Sequence, residues 1–508
     1  MSMLVSQESR KAFKRSLKSF WSRYKRSKIG MTGLIVLLFF VFLAIFAPLI
    51  SPYNPDRFNK VGPFYAQPTW AAVFDPDPIL PGQIIPDPYF ERQTNWYAGA
   101  YTAGFDENIT VGFSDDVSYD ERGGAFYAVI NDTSLTQNVG TKDNRPVIWA
   151  AVKINWTHNH YPLEVRVKFR VRIDIHGFQA ITHENAFSGN ISFYPAGEDA
   201  VADTGVGGIR TTRGFDLQKS ENGEWVEYNF LIIKSIIRRV FYRRGVVTLN
   251  ISFIFNPGRI TTEKGTIELW MDNVEIEVRG HYFGLMGTSD RGADLFSQFV
   301  WGTRVSLIVG ILATFLAVVV GVVVGLVSGY FGGILDEVLM RIVDFILIIP
   351  GLPLMLALAA VLRPSFWNII IVIAVLGWAG TARLIRSQVL AERAKAYVEA
   401  AKASGASDLY IIFRHILPNV TPLLFAQVAT GVSGAILAEA GLSFLGLGDP
   451  YAVSWGRMLQ DAELSGAFAR GAWWAVIFPG LGIALLSISF VFVGYALDQI
   501  LNPRLKER

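Results

Sequence analysis

Residues 399–418, EAAKASGASDLYIIFRHILP, are the one polar segment inside a C-terminal half of the chain that is otherwise apolar. The run Glu-Ala-Ala at 399–401 is predicted to continue a helix that begins near Glu392, and Gly405 is a natural left-handed end for that helix. A second short helix is predicted after Gly405, and Pro418 is predicted to close it. The segment therefore predicts two short helices that meet at a glycine between two membrane spans.

The same segment supplies a capping site and positive charge. Ser407 and Asp408 can cap the N-terminus of the second helix. Basic residues surround the turn; they are Arg393, Lys395, Lys402 and Arg414. A small, rigid, basic turn of this kind is suited to contact a partner protein that carries a complementary acidic patch.

The spacing of Glu-Ala-Ala, Gly405 and the later Leu-Pro at 417–418 resembles the EAA loop of ABC-importer permeases. RHILPN at 414–419 resembles the peptide and nickel branch of that family. The likeness to the C-type permease of dipeptide and oligopeptide importers extends from about His281 to Arg508 and includes the N-terminal span. Further stretches that carry it are GTSDRGADLFSQFVWGTRVSL (287–307), GYFGGILDEVLMRIVD (329–344), EAGLSFLGLG (439–448) and NPRL (502–505).

This resemblance implies a permease subunit whose EAA loop docks in a groove of a cytoplasmic ATPase. The implied partners are a second homologous permease, two cytoplasmic ABC ATPase subunits that hold ATP and magnesium, and an extracellular substrate-binding protein. Transport would proceed by alternating access and would carry short oligopeptides. The residues implied to couple ATPase and spans are Glu399, Ala400, Ala401, Ser404, Gly405, Ala406, Ser407, Leu417 and Pro418.

The predicted fold class is membrane α-helical. It is a six-span type I ABC-importer permease fold with an inserted extracellular β-rich domain, of the β-sandwich or jelly-roll type. The predicted parts are a basic cytoplasmic N-terminus (1–28), a first transmembrane helix (29–51), the β-rich domain (52–280), a surface elbow (281–304), a five-span core (305–500) with the EAA loop (392–418), and a cytoplasmic tail (501–508).

The N-terminal segment sets the predicted orientation in the membrane. Residues 1–28 contain nine Lys and Arg residues and one acidic residue, Glu8. The uncharged run at 29–50 is long enough to span a bilayer, and it is longer than the apolar core of a cleaved signal peptide. Positive charge beside a span favours the cytoplasmic side and can contact anionic lipid, so both termini of a six-span chain are predicted to be cytoplasmic.

Composition and missing motifs exclude several classes of function. The 508-residue chain has no cysteine, which excludes disulfides and thiol chemistry, and its net charge of +3 does not favour nucleic acid. It has no GxxxxGK[ST] phosphate loop and no HExxH or GxSxG motif, and its six histidines lack metal-ligand spacing. We therefore predict no catalytic residue, no metal and no cofactor on this chain itself.

Alternation of apolar and polar residues predicts β-strands in the middle of the chain. VRVKFRVRIDI at 165–175 alternates over its whole length, residues 249–255 repeat the pattern, and residues 265–278 are interpreted as a strand pair. Helical periodicity is scarce there, which favours a β-sandwich. The final DNVEIEV stretch loosely resembles the last strand of carbohydrate-binding jelly rolls.

The β-rich domain also contains candidate modification and ligand residues. Five Asn-x-Ser/Thr sequons are candidate glycosylation sites, with chance occurrence as the alternative: Asn108, Asn131, Asn155, Asn190 and Asn250. Four tryptophans can stack on sugar rings or fill the core: Trp149, Trp156, Trp225 and Trp270. An acidic group can hold calcium or form a solvated loop: Asp115, Asp116, Asp120 and Glu121.

Five further spans are predicted after the β-rich domain, at 305–328, 336–362, 366–386, 420–446 and 473–497. Asp290–Gln298 is predicted to be an amphipathic elbow on the outer surface. A stripe of small residues along the second span allows close approach of another helix, in this subunit or in a second permease. The stripe comprises Ala313, Ala317, Gly321, Gly325 and Gly329.

Charged and helix-breaking residues within the spans are candidates for the translocation path or its gate. Arg341 and Asp344 lie three residues apart and can form an ion pair on one helix face. Glu439 lies deep in the fifth span, and for all three charged residues a role in helix packing is the alternative. Pro350 and Pro353 are predicted to break the third span at mid-membrane, as a moving gate requires.

Three alternative functions remain open from the residues alone. The same machinery can import oligosaccharides, with the β-rich domain docking the substrate-binding protein. An ion-coupled secondary transporter would need no ATPase, but the inverted repeats and midplane ion sites of that class are not visible. A membrane-tethered carbohydrate-binding protein would need only one span.

Overall fold

The computed structural model describes residues 18–79, 82–83, 90, 96–101, 109–119, 123–131, 146–177, 187–195, 211–217, 223–232, 234–255 and 265–501. The chain divides into two compact units. The β-sheet unit is Gly62–Phe283, and the helical unit combines Met1–Val61 with Gly284–Arg508. Residues 52–61, predicted to lie in the β-rich domain, instead pack with the helices, because the Arg57 guanidinium pairs with Asp461 at 3.2 Å.

The β-sheet unit contains eleven described strands in two antiparallel sheets. One sheet has the order β3-β4-β11-β6-β9, with β1 on β11, and the other has the order β2-β5-β10-β7-β8. The strands are β1 Gly82–Gln83, β2 Trp96–Tyr101, β3 Ile109–Ser114, β4 Ala125–Ile130, β5 Val147–Trp156, β6 Glu164–His176, β7 Phe187–Tyr194, β8 Thr211–Asp216, β9 Val226–Leu231, β10 Gly245–Phe255 and β11 Thr266–Arg279. A short helix, Lys234–Val240, precedes β10.

The two sheets form a sandwich around one apolar core. On β6, the apolar residues of the alternating run at 165–175 are buried and the residues between them are mostly half-buried. On β10, Val247, Leu249, Ile251 and Phe253 enter the same buried cluster from the opposite sheet. The predicted β-sandwich is therefore confirmed, because period-two alternation places one apolar face of each sheet against the other.

The predicted strand pair at 265–278 is wrong, because this stretch is one strand. β11 pairs with β6 along its length, and its register shifts between Asp272 and Glu275. Asn273 takes a positive φ of 53° there. The Asp272 carboxylate accepts the N–H groups of Asn273 at 2.6 Å and Tyr119 at 2.7 Å. The Asp-Asn pair therefore forms a β-bulge and not a hairpin turn.

The incoming and outgoing segments of the β-sheet unit lie side by side. Gln67 and Tyr282 form a parallel β-bridge. The Gln67 N–H donates to the His281 carbonyl at 2.6 Å, and the Phe283 N–H donates to the Gln67 carbonyl at 2.8 Å. The two ends of the unit are thus joined by backbone hydrogen bonds.

An ionic cluster holds residues 75–77 against the sandwich. Asp77 accepts the Asn159 N–H at 2.9 Å and lies 2.8 Å from His158 Nδ1. Asp75 accepts the Tyr282 hydroxyl at 2.7 Å. The charged and titratable groups of the cluster are Asp75, Asp77, His158, His160, Arg244, His281 and Tyr282, with Lys234 close to His281.

The pKa shifts in this cluster make its stability sensitive to acid. The Tyr282 hydroxyl lowers the pKa of Asp75, and the Asn159 N–H lowers the pKa of Asp77. Burial lowers the pKa of His281. Carboxylates with a lowered pKa stabilise the fold above about pH 4 and lose that contribution as the pH falls through their folded pKa. A neutral His281 stabilises the fold above about pH 6.5, and this contribution is also lost as the pH falls.

We therefore expect the melting temperature of the β-sheet unit to fall as the pH falls from 7.5 to about 3, first through His281 and then, below about pH 4, through Asp75 and Asp77. The expected size is a few degrees, since about 1 kcal/mol corresponds to roughly 2–4 °C in a domain of this size. Differential scanning fluorimetry of the full chain measures it. His281→Gln keeps a donor for the Tyr161 carbonyl but does not titrate, so it should lack the part of the fall that begins below about pH 6.5. Identical profiles for both proteins would contradict this assignment.

The helical unit consists of long apolar helices joined by short segments. Numbered through the whole chain, with Lys234–Val240 as α3, they are α1 Lys28–Ile45, α2 Ala47–Ile50, α4 Leu295–Phe331, α5 Gly333–Ile348, α6 Gly351–Val361, α7 Phe366–Arg393, α8 Ala396–Ala403, α9 Asp408–Ile411, α10 Leu417–Phe444, α11 Trp455–Leu464 and α12 Trp474–Leu501. Within the described residues, five helices are long and apolar enough to cross a membrane, and the bent pair α5/α6 makes a sixth candidate span.

The predicted elbow at 281–304 differs from the structure. Residues from Leu295 onward belong to α4, which continues without interruption to Phe331. The helix begins there because the Asp294 carboxylate caps it, accepting the Ser297 N–H at 2.9 Å and the Ser297 hydroxyl at 2.6 Å. The second span therefore extends ten residues further towards the N-terminus than the predicted start at 305.

The small-residue stripe on α4 packs within this chain. A Cβ on Gly321 would lie 2.7 Å from the Trp378 carbonyl oxygen, and one on Gly325 would lie 2.8 Å from the Ala382 carbonyl oxygen. At Gly329 the closest atom would be Val389 Cβ, at 2.8 Å. These glycines let the backbones of α4 and α7 approach closely. The stripe was predicted to pack either within this subunit or against a second permease, and in the structure it packs within this subunit.

Trp455 joins several helices at one end of the helical unit. Its side chain is fully buried, stacks on Phe299 with ring centroids 5.2 Å apart, and meets Phe40 edge-on at 5.6 Å. The indole N–H donates to the Phe299 carbonyl at 2.9 Å. A Cβ on Gly302 would lie 2.8 Å from the indole ring, and one on Gly482 would lie 3.1 Å from it. Trp455 therefore contacts α1, α4 and α12 at once.

Candidate functional site

The EAA loop (residues 392–418) forms the predicted turn at Gly405. Helix α8 ends at Ala403, Ser404 is its C-cap, and Gly405 follows with φ of +80°. The Ala406 N–H donates to the Ala401 carbonyl at 3.1 Å, which closes the end of α8 as in a Schellman motif. The Ser407 hydroxyl accepts the Tyr410 N–H at 3.4 Å and caps α9. The prediction of two short helices that meet at this glycine is confirmed.

Two boundaries of the EAA loop differ from the prediction. The helix that contains residues 399–401 does not begin near Glu392, because Lys395 is extended, with ψ of 143°, and α8 starts at Ala396. Pro418 does not close the second helix. Instead, a π-helical segment, Ile412–Ile416, connects α9 directly to α10, and Pro418 lies in the first turn of α10, where its missing N–H costs nothing.

Buried aliphatic side chains anchor the EAA loop to the spans. Val398, Ile411, Ile412 and Ile416 are buried in one cluster. The cluster also takes residues from α4, α7 and α10: Leu326, Tyr330, Ile385, Val389 and Val420. Because interiors are close-packed, a displacement of the loop is transmitted to these helices.

Polar contacts fix the loop further. The Tyr330 hydroxyl donates to Asp408 Oδ1 at 2.6 Å, which ties the end of α4 to the start of α9. The Tyr397 hydroxyl donates to Glu392 Oε2 at 2.6 Å and accepts from Asn419 Nδ2 at 2.8 Å. Burial, followed by the bond to Glu392, raises the pKa of the Tyr397 hydroxyl. The loop is thus held to α4, α7 and α10 by side-chain hydrogen bonds as well as by the buried cluster.

The predicted coupling residues lie on the exposed side of the loop. Glu399, Ala400, Ser404, Gly405, Ser407 and Pro418 are exposed, whereas Ala401, Ala406 and Leu417 are half-buried. Three large apolar side chains beside them were not predicted: Leu409, Tyr410 and Phe413 are 65%, 53% and 62% exposed. Their exposure could have been predicted from the sequence, because they flank the pair Ile411 and Ile412. Since that pair is buried, its neighbours lie on the opposite face of the helix.

Two ion pairs connect α5 to α7. Arg386 donates to both oxygens of Asp336, at 2.5 and 2.6 Å. Arg383 pairs with Asp344. The predicted Arg341–Asp344 pair is therefore wrong: the Asp344 carboxylate turns to the neighbouring helix, and Arg341 is exposed and has no ion-pair partner among the described residues.

The third span is broken where it was predicted to be. Helices α5 and α6 meet at an angle of 91° across Ile349 and Pro350. Pro350, Gly351, Leu352 and Pro353 are exposed. A sharp break at a proline leaves backbone carbonyls without helical partners, which is tolerated in membranes only beside protein or water.

Glu439 lies in the interior of the helical unit. Its side chain is 1% exposed, and its Oε1 accepts the Ser443 hydroxyl at 2.7 Å on the same helix, α10. Both side chains are buried. The backbone of α10 just after Glu439 lies close to Gly456 of α11. Of the two predicted roles, this position favours helix packing.

The β-sheet unit places the candidate sequons differently from one another. Asn131 and Asn155 are exposed and Asn190 is half-buried, while Asn108 lies outside the described residues. Asn250 is only 8% exposed on β10, between β5 and β7, so a bulky glycan cannot be attached there and that prediction is wrong. Trp156 is buried, and Trp149, Trp225 and Trp270 are half-buried. Of the acidic group, Asp115 and Asp116 are exposed, and Asp120 and Glu121 lie outside the described residues.

Two family models match the helical segments. One, described as the inner membrane component of binding-protein-dependent transport systems, matches residues 321–507. The other, the N-terminal TM domain of oligopeptide transport permease C, matches residues 16–68. The dipeptide transport system permease protein DppC of Escherichia coli (strain K12) is 44% identical over 224 residues, which cover 44% of this chain and 74% of that protein.

Solved structures also match the chain, with low scores. An inward-facing conformation of the MetNI methionine ABC transporter has 21% identity and a TM-score of 0.33, and covers 40% of this chain and 94% of that one. TmCBM61 in complex with beta-1,4-galactotriose has 10% identity and a TM-score of 0.22, and covers 38% of this chain and 97% of that one.

Proposed function

This chain belongs to the family of permease components of binding-protein-dependent transport systems, and from that premise we propose that it moves short oligopeptides across the cytoplasmic membrane by alternating access. The peptide substrate is supported by the 44% identity to a dipeptide permease. The energy would come from ATP hydrolysis on partner subunits. In this proposal the chain contributes the path and the coupling surface but no catalytic residue.

The proposed assembly has four kinds of partner. Two cytoplasmic ABC ATPases bind the EAA loops, a second homologous permease completes the path, an extracellular binding protein delivers the peptide, and lipid surrounds the spans. The single observation that carries this assembly is the EAA loop itself. Its outer side exposes Gly405, Ser404 and Ser407, while its inner side is buried against three spans. A loop that is exposed on one side and packed against spans on the other is suited to transmit the movement of a bound ATPase to those spans.

Force on the loop has a direct route to the spans. The buried cluster around Ile411 and Ile416 packs the loop on α4, α7 and α10. The ion pairs Asp336–Arg386 and Asp344–Arg383 connect α7 in turn to α5, which carries the break at Pro350. Closure of the ATPases would therefore shift α5 against α6. We place the gate at Pro350 and Pro353, with Asp344 and Arg341 on its approach.

The proposed orientation follows from charge. The nine basic residues at positions 1–28 favour a cytoplasmic N-terminus, and six crossings then return the C-terminus to the same side. In that orientation the EAA loop is cytoplasmic and the β-sheet unit is extracellular. Asn131 and Asn155, both exposed, remain as proposed glycan acceptors.

Reconstituted transport tests the proposal. Proteoliposomes with both permeases and both ATPases should accumulate a labelled dipeptide when ATP faces the EAA loop and the binding protein faces the opposite side. Collapse of ion gradients should leave the rate unchanged, and a non-hydrolysable ATP analogue should abolish it. Accumulation driven by an ion gradient without ATP would overturn the importer mechanism, and uptake of a neutral hexaose without dipeptide uptake would overturn the peptide substrate.

A further inference from the structure

The two outer faces of the β-sandwich differ in chemistry. On the six-stranded sheet, the outward positions of β6 are the basic residues Arg166, Lys168, Arg170 and Arg172, and the neighbouring positions of β11 include Glu268 and Glu277. Charges of both signs in alternation are typical of a face that is simply solvated. The outer face of the five-stranded sheet has a different composition.

Small polar residues occupy the centre of the outer face of the five-stranded sheet. On β10 the outward residues are Thr248, Asn250 and Ser252, because Val247, Leu249, Ile251 and Phe253 fill the core. Their cross-strand neighbours on the same face are Lys153, Ala151 and Trp149 of β5 and Tyr194, Ser192 and Asn190 of β7. Among the described side chains of this face, Lys153 is the one charged group.

The central residues are buried although they point away from the core. Thr248, Asn250 and Ser192 are 3%, 8% and 7% exposed. The Asn250 Oδ1 atom is buried and has no hydrogen-bond partner among the described residues. A buried amide oxygen without a partner among the described residues is unusual in a folded protein, and a hydroxyl or N–H of a bound ligand would satisfy it.

An aromatic platform borders these residues. Trp149 lies flat across Gly99 of the neighbouring strand, since a Cβ on Gly99 would be 2.6 Å from Trp149 Cζ2 and 2.9 Å from Cε2. The ring is half-buried, so part of its surface remains accessible. Tyr97, which is 42% exposed, follows on the same face, with the Lys153 ammonium 5.3 Å from its ring centroid. Flat aromatic rings of this kind bind the apolar faces of planar or cyclic ligands.

We propose that the outer face of the five-stranded sheet binds a neutral oligosaccharide, with Trp149 under a sugar ring and Asn250 bonded to a sugar hydroxyl. Sugars combine an apolar ring face with many hydroxyl donors and acceptors. The face offers the matching set: aromatic rings, amides and hydroxyls, with a single positive charge and no described carboxylate. A nucleic acid would require several basic partners, and these residues supply one, Lys153.

This assignment also accounts for two of the three sequons on this face; the third, Asn155, lies at its end, opposite Val246. Asn190 and Asn250 occupy adjacent strands, opposite Ser252 and Ser192 in the register. Their position makes them ligand contacts and not glycan acceptors. The inference does not depend on the transport role, because binding to this face can be measured without ATPases or a membrane gradient, and so the two proposals fail separately.

Calorimetric titration of the full chain in nanodiscs tests the inference. The probes are free hexaoses of glucose, mannose, xylose and galactose, with a glucuronic acid oligomer and a tripeptide as comparisons. At least one neutral hexaose should bind, and the acidic oligomer and the tripeptide should not. A second arm retains the chain on surfaces that carry the same hexaoses through their reducing ends. Binding in the first arm alone indicates a free saccharide, and binding in both indicates a surface-attached glycan.

Three variants locate the binding site. Trp149→Ala should weaken binding about tenfold or more, since it removes the stacking surface. Asn250→Ala should weaken it about three- to tenfold, and it removes no hydrogen bond between the Oδ1 atom and the described residues. Trp270→Ala, a half-buried tryptophan on the other sheet, is the matched control and should bind like the parent. Absence of binding to every neutral hexaose, or equal binding by all three variants, would overturn the proposal.

Discussion

Replacing Gly405 by arginine is expected to reduce substrate-stimulated ATP hydrolysis by the assembled transporter about tenfold or more, the loss typical of a damaged interface anchor. Gly405 has φ of +80°, it is exposed, and a Cβ built on it has no atom within 4 Å. An arginine side chain therefore points outward without disturbing the spans. Its bulk and charge would occupy the space that the ATPase groove is proposed to fill.

The chain supplies a matched control for this substitution. Gly471 also has a positive φ, +75°, is exposed, and has open space around its Cβ position. Gly471→Arg carries the same backbone strain, about 1–2 kcal/mol for a left-handed residue with a side chain, but lies between α11 and α12, on the side proposed to face outward. ATP hydrolysis is measured for both variants in complexes of equal subunit content. Equal stimulation in both would show that the EAA loop does not couple the ATPases to transport.

Replacing Trp455 by alanine is expected to destabilise the helical unit by about 3–5 kcal/mol, the usual cost of removing a large buried aromatic side chain. The indole is fully buried and contacts Phe299, Phe40 and the close-packed glycines Gly302 and Gly482. Its N–H bond to the Phe299 carbonyl is lost as well, and that oxygen then keeps only its bond from the Thr303 hydroxyl among the side-chain donors described. The cavity joins three helices, so no single helix can move to fill it.

Thermal unfolding of the detergent-purified chain measures this effect. Trp455→Ala should lower the midpoint by roughly 10 °C, whereas Trp367→Ala, at a position 62% exposed, should shift it by at most about 1–2 °C. Trp455→Phe keeps the stacking but not the hydrogen bond and should fall between them. A midpoint for Trp455→Ala equal to that of Trp367→Ala would contradict the role assigned to this residue.

Features set by neighbouring residues in the chain could be predicted from the sequence. The alternation at 165–175 fixes which side of a strand each side chain occupies, and the left-handed turn at Gly405 depends on glycine alone. The break at Pro350 likewise follows from local backbone sterics. These predictions hold because the deciding interactions span only a few residues.

Features decided by distant residues could not be predicted in the same way. Asp344 was paired with Arg341 by spacing, but its partner is Arg383, 39 residues away on another helix. The burial of Asn250 depends on the strands β5 and β7 on either side of it. Similarly, the sequence does not show which helix packs on the glycine stripe of α4. The structure shows that α7 of the same chain does.

The bulge in β11 is an intermediate case, because its signal was present but was interpreted incorrectly. Buried residues fall on odd positions before it, at Ile267, Leu269 and Met271, and on even positions after it, at Val274 and Ile276. A change of phase by one residue indicates an inserted residue within a single strand, whereas a hairpin would require a turn. The phase of the alternation therefore contains more information than its presence.

The paired ends of the β-sheet unit have a consequence for how this chain arose. Because Gln67 is bonded to both His281 and Phe283, the unit begins and ends at almost the same point. A permease gene could therefore have acquired this cassette, or lost it, without separating the helices on either side. The same geometry allows the β-sheet unit to be removed or transferred. A short spacer that joins Gln67 directly to Phe283 should leave a minimal permease. The excised unit should be tolerated as an insertion in a surface turn of an unrelated protein.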